Sequence, residues 1–93
     1  GVLLAAGLVE RAGDRLYNCH VVVDGGGILA THRKIHEFIS EEIDCGDRYT
    51  VFDALGARFG ILTCYDNNLP ENARLTAMLG AQIILAPHVT GCL

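Results

Sequence analysis

The sequence predicts an α/β or α+β domain in which antiparallel hairpins lead into a βαβ unit and a mixed sheet. Three observations carry this. Two apolar stretches, residues 2–10 and 16–23, flank the turn-like Arg11-Ala-Gly-Asp-Arg15. Residues 58–74 read as a strand, a cysteine, a polar turn and a helix. A further apolar run, residues 82–86, follows that helix and stops at Pro87. The order strand–helix–strand implies a right-handed parallel crossover.

Taken in order, residues 2–10 read as a buried strand and residues 16–23 as its returning partner. Asp24-Gly-Gly-Gly27 is a second turn, and residues 28–31 form a third short strand. The glycines alone raise the thought of a phosphate loop. No Gly-Lys-Ser/Thr follows and no helix opens there, so a hairpin turn is the reading. Residues 37–47 have no clear period and read as a loop with a helical turn. Residues 49–53, with aromatic and β-branched side chains, form a strand, and Leu55-Gly-Ala57 turns back. Phe59, Ile61 and Leu62 fill a strand covered on both faces. Asp66, Asn67 and Asn68 are turn and cap residues. Pro70 suits the first helical turn, and Glu71 suits the positive helix end. Leu75, Met78 and Leu79 share one helix face, and Gly80 is a C-terminal stop. One short helix leaves a sheet face that something further must cover.

Composition narrows the function. The chain has 93 residues, about half of them hydrophobic and 19% charged, which is one small domain with a packed core. A net charge of −4, with no basic cluster beyond His32-Arg33-Lys34, excludes a nucleic-acid footprint. The apolar run near the N-terminus is too short to span a bilayer and has no basic flank, so neither a membrane span nor a signal peptide is expected. Cys19, Cys45, Cys64 and Cys92 lack the close pairing of a zinc site or the density of a secreted scaffold. Reduced, cytosolic thiols and no metal are the expectation.

The chemistry-bearing candidates are few. Cys64 falls between a strand end and a helix start, where helix-end N–H groups lower a thiol pKa. The setting is that of a strand-to-helix nucleophile elbow, with cysteine in place of serine. The pattern leaves two readings of Cys64 open, a nucleophile or an inert buried thiol. Lys34 is the only lysine of the chain. It is either a solvated surface group or a cation put to use. Glu37, Glu41 and Glu42 follow it closely as partners or as an acidic loop. His32, His36 and His88 are bases available to a thiol, but spacing selects none of them, so each reads as structural. Asp66 and Arg74 read as a turn cap and a helix charge.

Taken together, His32-Arg33-Lys34-Ile35-His36, Gly46-Asp47, Cys64-Tyr65-Asp66 with Pro70-Glu71 and Arg74, and Gly80-Ala81 leading to Ala86-Pro87 closely resemble the nitrilase superfamily of carbon–nitrogen hydrolases. The resemblance covers nearly the whole chain, and the combination is specific where each piece alone is weak. It implies an αββα sandwich that dimerises, so a homodimer or higher oligomer is expected. It also implies a cysteine nucleophile, a lysine, a general-base glutamate and a second, positioning glutamate, with no metal or organic cofactor.

By this resemblance Cys64 is the nucleophile and Lys34 the lysine. Glu41 is the second glutamate, ahead of Glu42 and then Glu37. The N–H of Tyr65 and the Lys34 ammonium hold the oxyanion. The family's base lies on a strand well before the lysine. Glu10 sits in a Leu-Val-Glu-Arg context that resembles a later strand, so residues 1–93 are expected to be the central part of a single longer domain. Cys64-Tyr65-Asp66 resembles the amidase and N-carbamoyl-amine branches, where nitrilases carry Cys-Trp-Glu. Amide or carbamoyl hydrolysis is therefore expected. Nitrile hydrolysis, a non-catalytic relative lacking the base, and a cysteine–histidine enzyme on another fold are the alternatives.

Overall fold

The computed structural model of the chain describes residues 2–35 and 44–88. Six strands, one 3-10 turn and one α-helix follow in the order β1 (Leu4–Ala12), β2 (Arg15–Asp24), β3 (Gly27–Arg33), β4 (Thr50–Ala54), β5 (Ala57–Ile61), the turn Cys64–Asn68, α1 (Pro70–Met78) and β6 (Ile83–Leu85). They make two three-stranded sheets. One is antiparallel in the order β1-β2-β3, and the other is mixed in the order β4-β5-β6. The expected α/β architecture is present, with β5 and β6 parallel across α1. Among the described residues no helix is long and apolar enough to cross a membrane.

The first hairpin turns at Gly13-Asp14 and the second at Gly25-Gly26, where the glycines serve a β-turn as expected. The core is small and joins the two sheets. Val22 of β2 packs with Phe52, Phe59 and Ile61 of β4 and β5. Phe52 and Phe59 face each other across the β4–β5 pair and stack with ring centres 5.3 Å apart.

One expectation about burial fails. The strand read as buried at residues 2–10 is an exposed edge, with Val9 62% and Leu4 61% accessible. Among the described strands β1 pairs only with β2, and most of its side chains are exposed. The shared apolar face of the helix points outward. Leu75, Met78 and Leu79 are exposed, while the buried α1 side chains are Asn72 and Thr76. The reason is local. Thr76 packs over Gly60 of β5, where a Cβ would collide with the Thr76 methyl. Asn72 is drawn inward by hydrogen bonds to Tyr49 and Asp66.

Candidate active site

The site is built where the mixed sheet ends. After β5 the chain runs extended through Leu62 and Thr63 and then bends sharply. Cys64 has φ 47°, a left-handed conformation rare outside glycine. Strain of this kind persists only when the surroundings hold it in place. Here the Cys64 N–H donates to the Pro87 carbonyl at 2.8 Å, and the Leu62 N–H to the Leu85 carbonyl at 3.0 Å. The Asn67 side chain donates to the carbonyls of Leu62 (2.8 Å) and Cys64 (3.2 Å). The elbow is thus fixed from β6 and from its own turn, and Cys64 is left half-buried.

Lys34 comes to this turn from the end of β3. Its backbone is gripped on both sides. Its N–H donates to the Asn18 carbonyl, and its carbonyl accepts from the Gly46 N–H, each at 2.8 Å. The residue is 4% exposed, so it is not a solvated surface lysine. Nζ lies 3.7 Å from Asp66 Oδ1 and 5.8 Å from the centre of the Tyr65 ring. The amine therefore meets both residues that follow Cys64. A buried ammonium needs such a counter-charge, because leaving water unpaired costs several kcal/mol or more.

Asp66 does more than the turn cap the sequence suggests. It is fully buried. Its Oδ2 accepts the Thr63 N–H at 3.2 Å, the Ile35 N–H at 3.3 Å and His32 Nε2 at 3.2 Å. An ionised carboxylate only accepts, so His32 Nε2 carries a proton, and Nδ1 faces the Thr50 hydroxyl at 2.9 Å. His32 is therefore committed to a structural link, as its spacing suggests. His88 is exposed and bonded to the Ala86 carbonyl.

The structure thus gathers Cys64, Tyr65 and Lys34 into one place. Glu41 and Glu42, with Glu37 and His36, lie outside the described residues. Arg74 is exposed on α1. Sequence reasoning underrated Asp66. Its one legible signal was proximity to Cys64, since its partners His32 and Ile35 are more than 30 residues away. Among the described residues no group of three or more metal-ligating side chains is assembled. Two clefts open on the described surface. One of about 370 Å³ lies beside Arg58 and Gly80, the other of about 290 Å³ beside Glu10 and Arg33. Neither is lined by Cys64 or Lys34, so the local chemistry rather than cleft size marks the site.

Comparison with known proteins agrees with this geometry. A family profile described as carbon–nitrogen hydrolase matches residues 1–92. A nitrilase of Pyrococcus abyssi is 41% identical over 90 residues, which cover 94% of this chain and 34% of that protein. An (R)-stereoselective amidase of a Pseudomonas species is 41% identical over 89 residues, covering 94% of this chain and 32% of that protein. A solved structure of a variant amidase from Nesterenkonia sp. AN1 shows acrylamide added at its active-site cysteine. It aligns with a TM-score of 0.86 at 28% identity, over 95% of this chain and 37% of that one. The chain spans about a third of the length of the curated relatives it matches.

Proposed function

The chain belongs to the carbon–nitrogen hydrolase family, and on that premise we propose that it supplies the nucleophile and the lysine of an enzyme that hydrolyses small-molecule amides or N-carbamoyl amines. Residues 1–93 are the central part of a single catalytic domain. The observation that carries the reading is the burial of Lys34 against the turn that opens at Cys64, whose backbone is held at φ 47°.

The steps follow from these groups. A glutamate base, lying outside the residues assigned here, takes the Cys64 proton as Sγ attacks the carbonyl carbon. The oxyanion is held by the Tyr65 N–H and the Lys34 ammonium. Glu41, or Glu42 in its place, positions these groups. The C–N bond breaks as the nitrogen takes up the proton, and ammonia or an amine leaves. A thioester (a thiocarbamate from a carbamoyl substrate) remains on Cys64. Water adds to it, and departure of the acid returns the thiol. No metal or organic cofactor enters this scheme. The same reading makes the protein a cytoplasmic homodimer or higher oligomer, for which sedimentation is the check.

The test is steady-state turnover of amides, N-carbamoyl amines and nitriles by the protein that carries this chain. Nitriles belong in the panel because a relative named nitrilase is as similar as one named amidase. Amide or carbamoyl turnover is expected. Cys64→Ala should abolish it, and Lys34→Ala should lower it by about 10²-fold or more. Near-normal turnover in Lys34→Ala would remove the role given to Lys34. Nitrile-only turnover would move the substrate class. No turnover at all, with Cys64 inert to acrylamide, would mark a non-catalytic member of the family.

A further inference from the structure

We propose that Asp66 is a positioning residue that fixes the Lys34 ammonium on the Cys64 turn. This rests on the reading that Lys34 serves Cys64. A carboxylate acting only as a turn cap needs the Thr63 N–H, three residues away, and nothing more. Asp66 instead takes two further N–H donors from β3 and the residues just after it, through His32 Nε2 and the Ile35 backbone. All three donors crowd onto Oδ2, and Oδ1 is the oxygen that faces Lys34 Nζ. One fully buried group therefore ties the segment before Cys64 to the strand end that carries Lys34. The donors come from three separate residues, so Oδ2 is held in place, and the position of Oδ1 is set before any substrate arrives.

The His32 link makes the lock more rigid. His32 is itself fully buried and is held from the far side by the Thr50 hydroxyl of β4. The aim of the ammonium is thus referred through Asp66 to both sheets. An error of about 1 Å in placing such a group costs about 10²-fold in rate.

The test is Asp66→Asn in the whole protein that carries this chain, with lysine 13C-labelled in its side-chain methylenes. The Lys34 signal is assigned by its disappearance in Lys34→Arg. In the unsubstituted protein this signal is expected to show a nuclear Overhauser contact with the Tyr65 ring. Asp66→Asn is expected to lose that contact, to move the signal toward free lysine, and to lower kcat by about 10²-fold with KM changed only a few-fold. An unmoved Lys34 signal in a folded Asp66→Asn protein overturns the proposal, whatever happens to turnover, because Asp66 then acts only as a cap. Absence of the Tyr65 contact in the unsubstituted protein also overturns it. If Asp66→Asn does not fold, Asp66→Glu keeps the charge, displaces the oxygens and is judged by the same signal. A Lys34 signal that moves in a protein with no amide, carbamoyl or nitrile turnover leaves the positioning role standing and removes the functional reading instead.

Discussion

Gly46 lies so close to Arg33 that a Cβ added to it would overlap the Arg33 carbonyl. Its own N–H donates to the Lys34 carbonyl at 2.8 Å. The close approach and the hydrogen bond are one feature, because only a residue without a side chain brings this segment against the end of β3. The neighbouring Asp44 N–H donates to the Leu16 carbonyl at 2.7 Å, so residues 44–46 seal the strand ends beside Lys34.

Gly46→Ala is therefore expected to push the Lys34 backbone aside. The overlap is with backbone atoms, which cannot swing away as a flexible side chain does. A loss of about 1–3 kcal/mol in unfolding free energy is expected, the usual cost of overpacking. Turnover in the protein that carries this chain should fall with it. Chemical denaturation beside a kinetic assay reads both, and a Gly46→Ala protein as stable and active as the original would show that the approach is not tight.

The three described free thiols, Cys19, Cys45 and Cys64, should differ in reactivity. Cys19 is 1% exposed, and its Sγ donates to Glu10 Oε1 at 3.3 Å. Burial first, and then the Glu10 carboxylate, push its pKa up to about 11. Near pH 8 only about one thiol in 10³ is then the reactive thiolate. Cys45 is exposed. Alkylation followed by peptide mass mapping should find Cys45 modified at least about 10²-fold faster than Cys19 in the native protein, with the difference lost in denaturant. Equal native rates would mean that Cys19 is not shielded.

Glu10 gives a prediction about acid. Arg33 Nε donates to its Oε1 at 2.7 Å, and the guanidinium also lies over the Tyr17 ring at 4.0 Å. The Arg33 hydrogen bond, and then the Cys19 thiol, hold the Glu10 carboxyl below its ordinary value of 4.5. A carboxyl depressed in the folded state stabilises the protein above the unfolded-state value. That contribution is lost as pH falls through the folded value. The gap in urea midpoint between the original and Glu10→Gln should hold steady from about pH 7 to about pH 5, and then shrink below about pH 4.5. A gap that grows on acidification would reverse the sign of this linkage.

Much of the fold is legible in the sequence because local chemistry sets it. The hairpin turns sit at glycines, α1 starts at Pro70, and Gly80 at φ 100° ends it. Cys64 falls at the strand-to-helix bend that the turn residues announce. What the sequence hides is which side faces inward. The apolar stripe of Leu75, Met78 and Leu79 marks a helix correctly but points away from β5, because Gly60 and Thr76 fit each other more closely. Apolar content likewise makes β1 look buried, although only β2 flanks it among the described strands. Asp66 reads as a cap because its Thr63 bond is local. Its bonds to His32 and Ile35 depend on a tertiary approach that no spacing rule contains.

That inward polar face of α1 gives the last prediction. Asn72 is 1% exposed and joins α1 to the Cys64 turn and to Tyr49 just before β4. Its Oδ1 accepts from the Tyr49 hydroxyl at 2.8 Å, and its Nδ2 donates to the Asp66 carbonyl at 2.9 Å. Asn72→Ala strands the buried Asp66 carbonyl and the Tyr49 hydroxyl, and each group left unsatisfied costs about 1–3 kcal/mol. Tyr49→Phe strands Asn72 Oδ1 but leaves the Asp66 link in place, so it should cost less than Asn72→Ala, about 1–3 kcal/mol for one unsatisfied group instead of two. Thermal unfolding of both single variants and of the double variant separates the two contributions. If Asn72→Ala costs no more than Tyr49→Phe, the bond to the Asp66 carbonyl carries no weight in joining α1 to the Cys64 turn. If it costs more, and the double variant adds little to it, the helix and the turn are anchored through Asn72. The strained elbow at Cys64 would then depend for its shape on a polar contact made further along the chain, from inside the helix.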